Sequence, residues 1–334
     1  MRAVAREYVA YFEVGDTPNV VVDGAALPST VLTLSHWPGA PTPDALRADL
    51  SAEIAFRYLE QPELHVDARV VSNNHFDEDG LMSIYALTEP RAATERRVLV
   101  EDVARAGDFG TFRSRDAARV SFAISAVADP ARSPLGAAFF ARPYEQVAHG
   151  LYVELLARVP ALLDDVDAHR DLWADEDAAL ARSERAVDTG EVTIEERPEV
   201  DLAIVRVPES FAAHEVHRFT QHRHARVHPM AVHNRTSMLR VATICGPSYE
   251  VAFRYETWVQ LVTRRPAPRV DLAPLAAHLD ERETGAARWT FDGVDQITPT
   301  LRSDDSSLAP SDFLDALVAH LETAPPAWDP YKPR

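Results

Sequence analysis

The sequence of 334 residues is poor in cysteine, lysine and glycine, and each shortage excludes a class of protein. The single cysteine, Cys245, excludes a disulfide framework and a zinc site built on cysteine pairs. The only lysine, Lys332, leaves no candidate for a Schiff base or a phosphate-loop lysine. The 12 glycines form no Gly-x-Gly-x-x-Gly fingerprint, which argues against a dinucleotide site.

Long apolar runs and an excess of positive charge are also missing. No run approaches the roughly 20 apolar residues that cross a bilayer, so we expect no membrane partner. Glu7 and Glu13 stand where a signal peptide needs an apolar core, which predicts a cytoplasmic protein. The formal charge of −18 argues against long duplex nucleic acid as a ligand. It is compatible with a small phosphorylated ligand held at a local site, and the sequence is compatible with a homo-oligomer.

Strand patterns alternate with helix patterns over the first 115 residues. Short β-rich runs occur at residues 18–23, 30–35 and 68–74. Apolar residues at helical spacing follow from Thr42, where the threonine could cap the helix. Such alternation predicts a parallel sheet whose ligands bind at the carboxyl ends of the strands. The other helices predicted in this region are residues 81–88, ended by Pro90, and 93–106, closed by Gly107.

The chain is predicted to form two domains with an overall α/β fold. A parallel-sheet, metal-binding domain of residues 1–190 ends in a helical segment, residues 116–186. The polar stretch 187–200 marks the boundary, and residues 191–334 form a smaller α+β domain. The elements predicted for this second domain are strands at 201–207, 238–244 and 249–262 and a final helix at 311–322.

The segment SNNHFDEDGLMS, residues 72–83, carries the densest chemical signal. His75, Asp77 and Asp79 are two residues apart, so an extended backbone would project all three to one side. Gly80 then permits a tight turn into a helix. One imidazole and two carboxylates at a strand end suit a divalent ion such as Mn²⁺. The alternatives are a plain acidic turn and a calcium-binding loop, but His75 stands where such a loop needs an acidic first residue.

His75, Asp77, Asp79, Gly80 and Ser83 resemble the first motif of the DHH phosphoesterase family, a strand followed by His-x-Asp-x-Asp-Gly-x-x-Ser. The resemblance implies a parallel-sheet domain followed by a smaller substrate-binding domain. It also implies two divalent ions, Mn²⁺ or Mg²⁺, and hydrolysis of a phosphoester or phosphoanhydride. The whole chain is also similar to a bacterial family of unknown function.

Three other segments resemble parts of the same family. VVVDG resembles the strand that ends in the metal-bridging aspartate, here Asp23, and AGDFGTF resembles the last metal-binding stretch, with Asp108 as the ligand. TLSHWPG resembles the strand of the Asp-His-His triplet, with His36 in the central place. The triplet reads Ser35-His36-Trp37, and the motif order is shifted as a circular permutation would shift it.

The resemblance implies a metal-dependent hydrolase of a small phosphorylated substrate, which could be a nucleotide. His75, Asp77, Asp79, Asp23 and Asp108 would hold the metals. Asp79 and His36 are the catalytic candidates, with Asp79 or Asp23 bridging the two ions and His36 a ligand or a phosphate contact. The alternative is a catalytically inactive DHH-like domain that binds a nucleotide or a protein partner.

Residues 214–235 hold six of the thirteen histidines, interleaved with arginines. This cationic stretch could bind the charged part of the substrate. His214 with His217 and His224 with His228 could instead hold zinc on a helix, and a solvated surface is the third interpretation. The residues assigned to substrate binding are His224, His228, His233, Asn234 and Arg235.

Two further pairs of charged residues have a predicted role. Asp49 and Glu53 lie one turn apart on a predicted helix, where they could orient metal ligands or serve as favourable charges at the helix N-terminus. Arg254 and Glu256 are predicted to lie on the same side of a strand and to form an ion pair.

Overall fold

The structure, a computed structural model, describes residues 5–212, 214–218 and 221–332, with the side chains of residues 214–218 and 221–224 left aside. The chain has the predicted α/β fold and divides into two units. The first unit comprises the described residues up to Ala178, most of the 215–223 segment and Leu261–Arg264. The second comprises the remaining described residues. The boundary predicted after residue 190 stays a prediction.

The first unit contains a four-stranded sheet in which every pair of neighbours is parallel, in the order β1-β4-β2-β3. The side chains of Val20, Val21 and Val22 are fully buried, as expected for a central strand with both faces covered. The three strands predicted from the β-rich runs are therefore confirmed as β2, β3 and β4. The strands are β1 (Glu7–Tyr8), β2 (Asn19–Val22), β3 (Thr30–Leu34) and β4 (Val70–Ser72).

Helices make up most of the rest of the first unit, including the predicted helical segment. The predicted start at Thr42 is wrong, because the threonine hydroxyl accepts from the Ser35 amide and donates to the Ser35 carbonyl instead of capping a helix. The helices are α1 (Ser51–Glu60), α2 (Glu78–Thr88), α3 (Pro90–Glu95), α4 (Arg97–Asp108), α5 (Arg115–Ala128), α6 (Ala137–Phe140), α7 (Tyr144–Asp164) and α8 (Arg170–Asp188).

The helix predicted over residues 93–106 is wrong in its bounds. A break at Arg96 separates α3 from α4, and α4 continues past Gly107 to Asp108. Gly107 lies inside α4 and does not end it. A Cβ at this position would lie only 2.4 Å from the Glu78 Cβ, so glycine permits the close approach of α2 and α4. Gly110, with φ of +60°, follows the end of α4.

The second unit contains a mixed six-stranded sheet in the order β12-β13-β10-β9-β6-β5, in which only β6 and β9 are parallel among the described pairs. Tyr249, Phe253, Phe313 and Leu317 pack in its core. Most of β7 and of β8 belongs to the first unit, and the other elements of this part of the chain belong to the second. From residue 193 onward the elements in chain order are β5 (Thr193–Arg197), β6 (Leu202–Arg206), β7 (His214–Arg218), β8 (Gln221–Ala225), α9 (Pro229–His233), β9 (Arg240–Cys245), β10 (Ser248–Phe253), β11 (Arg269–Val270), α10 (Ala273–Arg282), β12 (Thr290–Phe291), β13 (Thr300–Ser303), α11 (Pro310–Thr323) and β14 (Pro326–Trp328).

The later part of the chain differs from the predicted pattern of elements in three places. The strand predicted over 249–262 ends at Phe253, and the chain turns into the short 3-10 helix Tyr255–Thr257. The polar boundary stretch 187–200 contains β5, whose exposed charged side chains suit the edge of a sheet. Of the histidines proposed as helical zinc pairs, His214 and His217 lie on β7, whereas His224 lies on β8 and His228 is the N-cap of α9, so neither pair lies on one helical face.

Several elements match their predictions closely. Strands β6 and β9 and helix α11 are confirmed, and Cys245 is buried. No helix in the described part of the chain combines the length and the apolarity that a bilayer crossing requires.

Candidate metal centre

The site begins at the carboxyl ends of β2 and β3, which meet at the same edge of the parallel sheet. Asp23 follows β2 directly with a positive φ of 45°, a conformation that aspartate tolerates better than most residues. Its amide donates to the Leu34 carbonyl at 3.0 Å, which ties it to the end of β3. The Asp23 side chain is fully buried, and its Oδ1 accepts from the Ser51 hydroxyl at 2.8 Å.

His36 follows β3 and turns its imidazole toward three carboxylates. Its Nδ1 lies 2.6 Å from the carbonyl oxygen of Asp49, and because a carbonyl can only accept, Nδ1 carries the hydrogen. The other ring nitrogen, Nε2, lies 3.3 Å from Asp23 Oδ1, 3.6 Å from Asp108 Oδ2 and 3.8 Å from Asp79 Oδ2. The ring is fully buried, so it faces other side chains and not solvent.

The turn from β4 into α2 supplies the next three side chains. His75 Nε2 lies 2.7 Å from Asp77 Oδ2 and 3.5 Å from Asp23 Oδ2. Asp77 caps α2, since its Oδ1 accepts from the Gly80 amide at 2.8 Å. The prediction of one extended strand through Asp79 is wrong, because Asp79 already lies in the first turn of α2. Its two carboxylate oxygens accept from the amides of Ser51 and Ala52, each at 2.7 Å, at the start of α1.

Asp108 completes the cluster as the last residue of α4. Its side chain is almost fully buried, and it faces His36. The six side chains predicted as metal ligands or as the catalytic histidine thus lie together in the first unit: Asp23, His36, His75, Asp77, Asp79 and Asp108.

Two sets of three potential ligands share Asp23. One set is Asp23, His75 and Asp77, and the other is Asp23, His36 and Asp79. Within each set, one ligand atom from each residue lies within 4.8 Å of the other two. The His36 set is completely buried, whereas the side chains of His75 and Asp77 are 21% and 26% exposed. One set is therefore closed, and the other is open on one side.

Burial and mutual repulsion shift the protonation of these groups. Burial, and then the charge of Asp23, raise the pKa of Asp79 to about 8. Burial, and then the neighbouring carboxylates, raise the pKa of Asp108 well above its ordinary value. Burial by itself lowers the pKa of His36, but the hydrogen bond and charge of Asp23 outweigh it and raise that pKa to about 9. The cluster without metal therefore holds protons near neutral pH, and a cation would compete with them.

The donor set fits a divalent cation. Two oxygens, Asp23 Oδ2 and Asp108 Oδ2, are buried and accept no hydrogen bond from the described residues. Buried carboxylate oxygens without donors are costly unless a cation compensates them. Imidazole and carboxylate together bind ions of intermediate hardness. The buried aspartate and histidine cluster could therefore hold a metal ion.

Comparison with known proteins places the chain in a family. The model of the family of unknown function DUF6687 matches residues 4–332. The chain belongs to the DUF6687 family. No curated protein and no solved structure matches the chain.

The substrate-binding residues predicted for this DUF6687 protein belong to the second unit. His228 is buried, and its side chain caps α9 by accepting from the Met230 amide. Its own amide donates to the Ser183 hydroxyl at 2.9 Å. Arg235 pairs with Asp188 at 2.6 Å, and His233 and Asn234 lie at the end of α9. The His224 side chain lies outside the described part of the structure. The assignment of these residues to substrate binding stays a prediction.

Sequence reasoning missed the contacts of Ser51 and Ala52 that hold the cluster of this DUF6687 protein in place, although it considered Asp49 as a residue that orients metal ligands. The hydroxyl and amide of Ser51, the amide of Ala52 and the carbonyl of Asp49 each contact a predicted ligand. Buried Glu78, which accepts from the Ser125 hydroxyl at 2.8 Å, was not predicted to have a role, because its residue type alone does not indicate one.

Proposed function

We propose that this DUF6687 protein is a divalent-metal-dependent hydrolase of a phosphoester or phosphoanhydride in a small substrate. The observation that carries the proposal is the sharing of Asp23 between two sets of three ligands. A carboxylate has two oxygens, so it can bridge two cations that lie about 4 Å apart, the spacing of two-metal hydrolytic sites. The His-x-Asp-x-Asp motif resembles the DHH phosphoesterases, and the same six side chains converge in the first unit.

Each side chain has a role in this proposal. Asp23, His36 and Asp79 would hold one ion at the closed position, and Asp23, His75 and Asp77 would hold the other at the open one. Asp108, 3.6 Å from His36, adds a ligand on the closed side. His36 acts as a ligand and not as a substrate contact, because its ring is completely buried and its Nδ1 is occupied by the Asp49 carbonyl.

Divalent ions would supply Lewis acidity, lowering the pKa of water and polarising phosphorus–oxygen bonds. Mn²⁺ suits the mixture of imidazole and carboxylate, and Mg²⁺ is the alternative. The protein's own contribution is to fix the carboxylates before substrate arrives. Asp79 is held by two backbone amides and Asp23 by the Ser51 hydroxyl, so neither has to reorganise.

The substrate would meet the open side of the cluster, formed by His75 and Asp77. Trp37 lies against this side, its ring centroid 5.0 Å from that of His75. A small phosphorylated molecule fits the net negative charge of the chain better than a long polyanion, because only a local cationic centre has to attract it.

The test is metal content followed by turnover. The full chain, purified without chelator, would be measured for bound metal by plasma mass spectrometry. It would then be assayed for Mn²⁺-dependent hydrolysis of bis-p-nitrophenyl phosphate and of pyrophosphate. We expect about two ions per chain and activity that EDTA removes and Mn²⁺ restores.

The matched variants are Asp23→Asn and Asp44→Asn. Asp23→Asn is expected to lose activity by at least about 100-fold, because a neutral amide bridges two cations poorly. Asp44, almost fully exposed in an ion pair with Arg47, lies outside the cluster and its substitution should change nothing. Absence of bound metal, or equal activity of the two variants, would contradict the proposal.

A second candidate function is supported by the residues around His36. Ser35 and Trp37 stand where the DHH triplet has a carboxylate and a second imidazole. The Ser35 hydroxyl accepts from the Trp37 amide, and the Trp37 ring packs against His75. These two differences from the DHH triplet fit a protein that binds metal and a phosphorylated ligand without hydrolysing the ligand. Stoichiometric Mn²⁺ without turnover of either substrate would favour that candidate.

A further inference from the structure

Asp49 lies beside the metal centre without contributing its carboxylate to it. The residue stands two positions before α1, and its side chain is buried. Its main-chain carbonyl is the group that contacts His36, at 2.6 Å from Nδ1. Every residue has a main-chain carbonyl, so a specific role for Asp49 depends on how its side chain holds this carbonyl in place.

The Asp49 carboxylate is bound by a segment far away in the sequence. Oδ1 accepts from the amide of Val262 at 2.6 Å and from that of Thr263 at 3.0 Å. Oδ2 accepts from the Thr263 hydroxyl. The Leu261–Arg264 segment belongs to the first unit, together with Asp49. Three donors therefore fix the side chain, and through it the peptide whose carbonyl meets His36.

We propose that Asp49 is a positioning residue that sets the tautomer and the direction of His36, with Val262 and Thr263 as its anchor. A carbonyl at Nδ1 requires the hydrogen there and leaves the lone pair of neutral His36 on Nε2, the nitrogen that faces Asp23, Asp79 and Asp108. Partners of this kind typically change metal affinity by about 10- to 100-fold when they are lost. The inference rests on the proposed function, since it gives His36 the role of a metal ligand.

Glu53, the second acid of the predicted pair, has different partners from Asp49. Glu53, on the first turn of α1, pairs with Arg105 at 2.5 Å and accepts from the Asp49 amide at 3.3 Å. It is therefore a charge at a helix N-terminus and has no contact with His36 among the described interactions. Of the two roles considered for this pair of acids, Asp49 takes the orienting one and Glu53 takes the helix-terminal one.

The first readout is the affinity of the full chain for Mn²⁺, measured by titration after EDTA treatment and dialysis. Asp49→Ala is expected to weaken the affinity by about 10- to 100-fold. Asp49→Asn keeps an oxygen that can accept from the two amides, so it should restore most of the loss. Asp44→Ala, which removes an exposed acid five residues earlier in the chain, is the control and should bind as the wild type does.

The second readout needs no metal. In ¹⁵N-labelled, metal-free protein, the Nδ1 hydrogen of His36, assigned by its disappearance in His36→Gln, should exchange slowly with solvent. Asp49→Ala should accelerate this exchange while far-ultraviolet circular dichroism shows the fold retained, and Asp49→Asn should slow it again. Unchanged exchange in Asp49→Ala would overturn the role of Asp49.

The two readouts separate the two proposals. A wild-type chain that takes up no Mn²⁺ would contradict the proposed function, and the exchange measurement would still decide whether Asp49 holds His36. A chain that binds Mn²⁺ equally well with Asp49→Ala would contradict the positioning role and leave the proposed function standing.

Discussion

Buried charges in the two units are treated in opposite ways. In the second unit Arg240, Arg254 and Arg269 are buried, and each finds partners within the protein. The Arg254 guanidinium pairs with Glu256 at 2.5 Å, which confirms the predicted pair, and Arg269 donates to three main-chain carbonyls and to the Thr257 hydroxyl. In the first unit, four acidic side chains converge on two histidines, and two of their oxygens accept no hydrogen bond from the described residues.

The difference separates structural charge from functional charge. A buried ion whose hydrogen bonds are satisfied by the fold needs nothing more, and it ties distant segments together. A buried group of like charges is unfavourable to the fold and is retained where something else compensates it. The first arrangement is complete without a ligand. The second leaves buried carboxylate oxygens that a cation could compensate, which is why we assign the candidate site to the first unit.

The largest expected effect is the loss of stability when a buried ion pair of the second unit is broken. Arg254→Met leaves the buried Glu256 without its partner and should lower the free energy of unfolding of the second unit by about 3–5 kcal/mol. Hydrogen exchange measured by mass spectrometry would show the loss in β9 and β10. Protection in β2 and β4 should stay as in the wild type, and equal loss in those strands would contradict the separation of roles.

Adding metal should stabilise the first unit and leave the second unit unchanged. Mn²⁺ at about 100 times its dissociation constant should stabilise the protein by about 2.7 kcal/mol, because it binds only the folded cluster. The gain should appear as slower hydrogen exchange in β2, β3 and β4. Equal protection of β9 and β10, or none anywhere, would show that the cluster is not the binding site.

Metal-free protein should lose stability as the pH rises. The folded pKa of Asp79 is about 8 and those of His36 and His75 are about 9, against ordinary values of 3.8 and 6.5. Folded protein therefore holds protons that the unfolded chain has released, so these groups favour folding at low pH and lose that contribution through pH 8–9. Thermal unfolding at pH 6 and pH 9 should show the decline, and Mn²⁺ should reverse it. A midpoint that rises with pH without metal would contradict these shifts.

A single neutral substitution should separate stability from metal binding. Asp108→Asn removes one acid whose Oδ2 accepts no hydrogen bond from the described residues, so it should stabilise the metal-free protein by about 1 kcal/mol. The same variant should bind Mn²⁺ more weakly. Chemical denaturation with and without Mn²⁺ measures both effects, and a variant destabilised without metal would argue that Asp108 is a structural residue.

The ligands of the cluster could be predicted because their signals are local. His75, Asp77 and Asp79 form one short motif, and Asp23 and His36 each follow a β-rich run that a parallel sheet brings to one edge. The elements missed in the second unit include strands of two residues, too short to leave a pattern. The spacing of His214, His217 and His224 matched a helix by count alone, whereas these residues lie on the strands β7 and β8.

The contacts that orient the ligands had no such signal. Asp49 meets Val262 across 213 positions of sequence, and it orients His36 through a carbonyl that every residue possesses. Ser51 reaches Asp23 because α1 begins nine residues later than the predicted start at Thr42. Residue type and spacing do not encode a main-chain acceptor, so this layer of the site emerges only from the three-dimensional arrangement.

The most direct test of the account is anomalous X-ray diffraction at the manganese edge, on crystals of the full chain grown with Mn²⁺. We expect two anomalous peaks flanking the Asp23 carboxylate, one beside His36 and Asp79 and the other beside His75 and Asp77. Crystals without an anomalous peak at Asp23, or with manganese only at the 214–235 histidines, would contradict it.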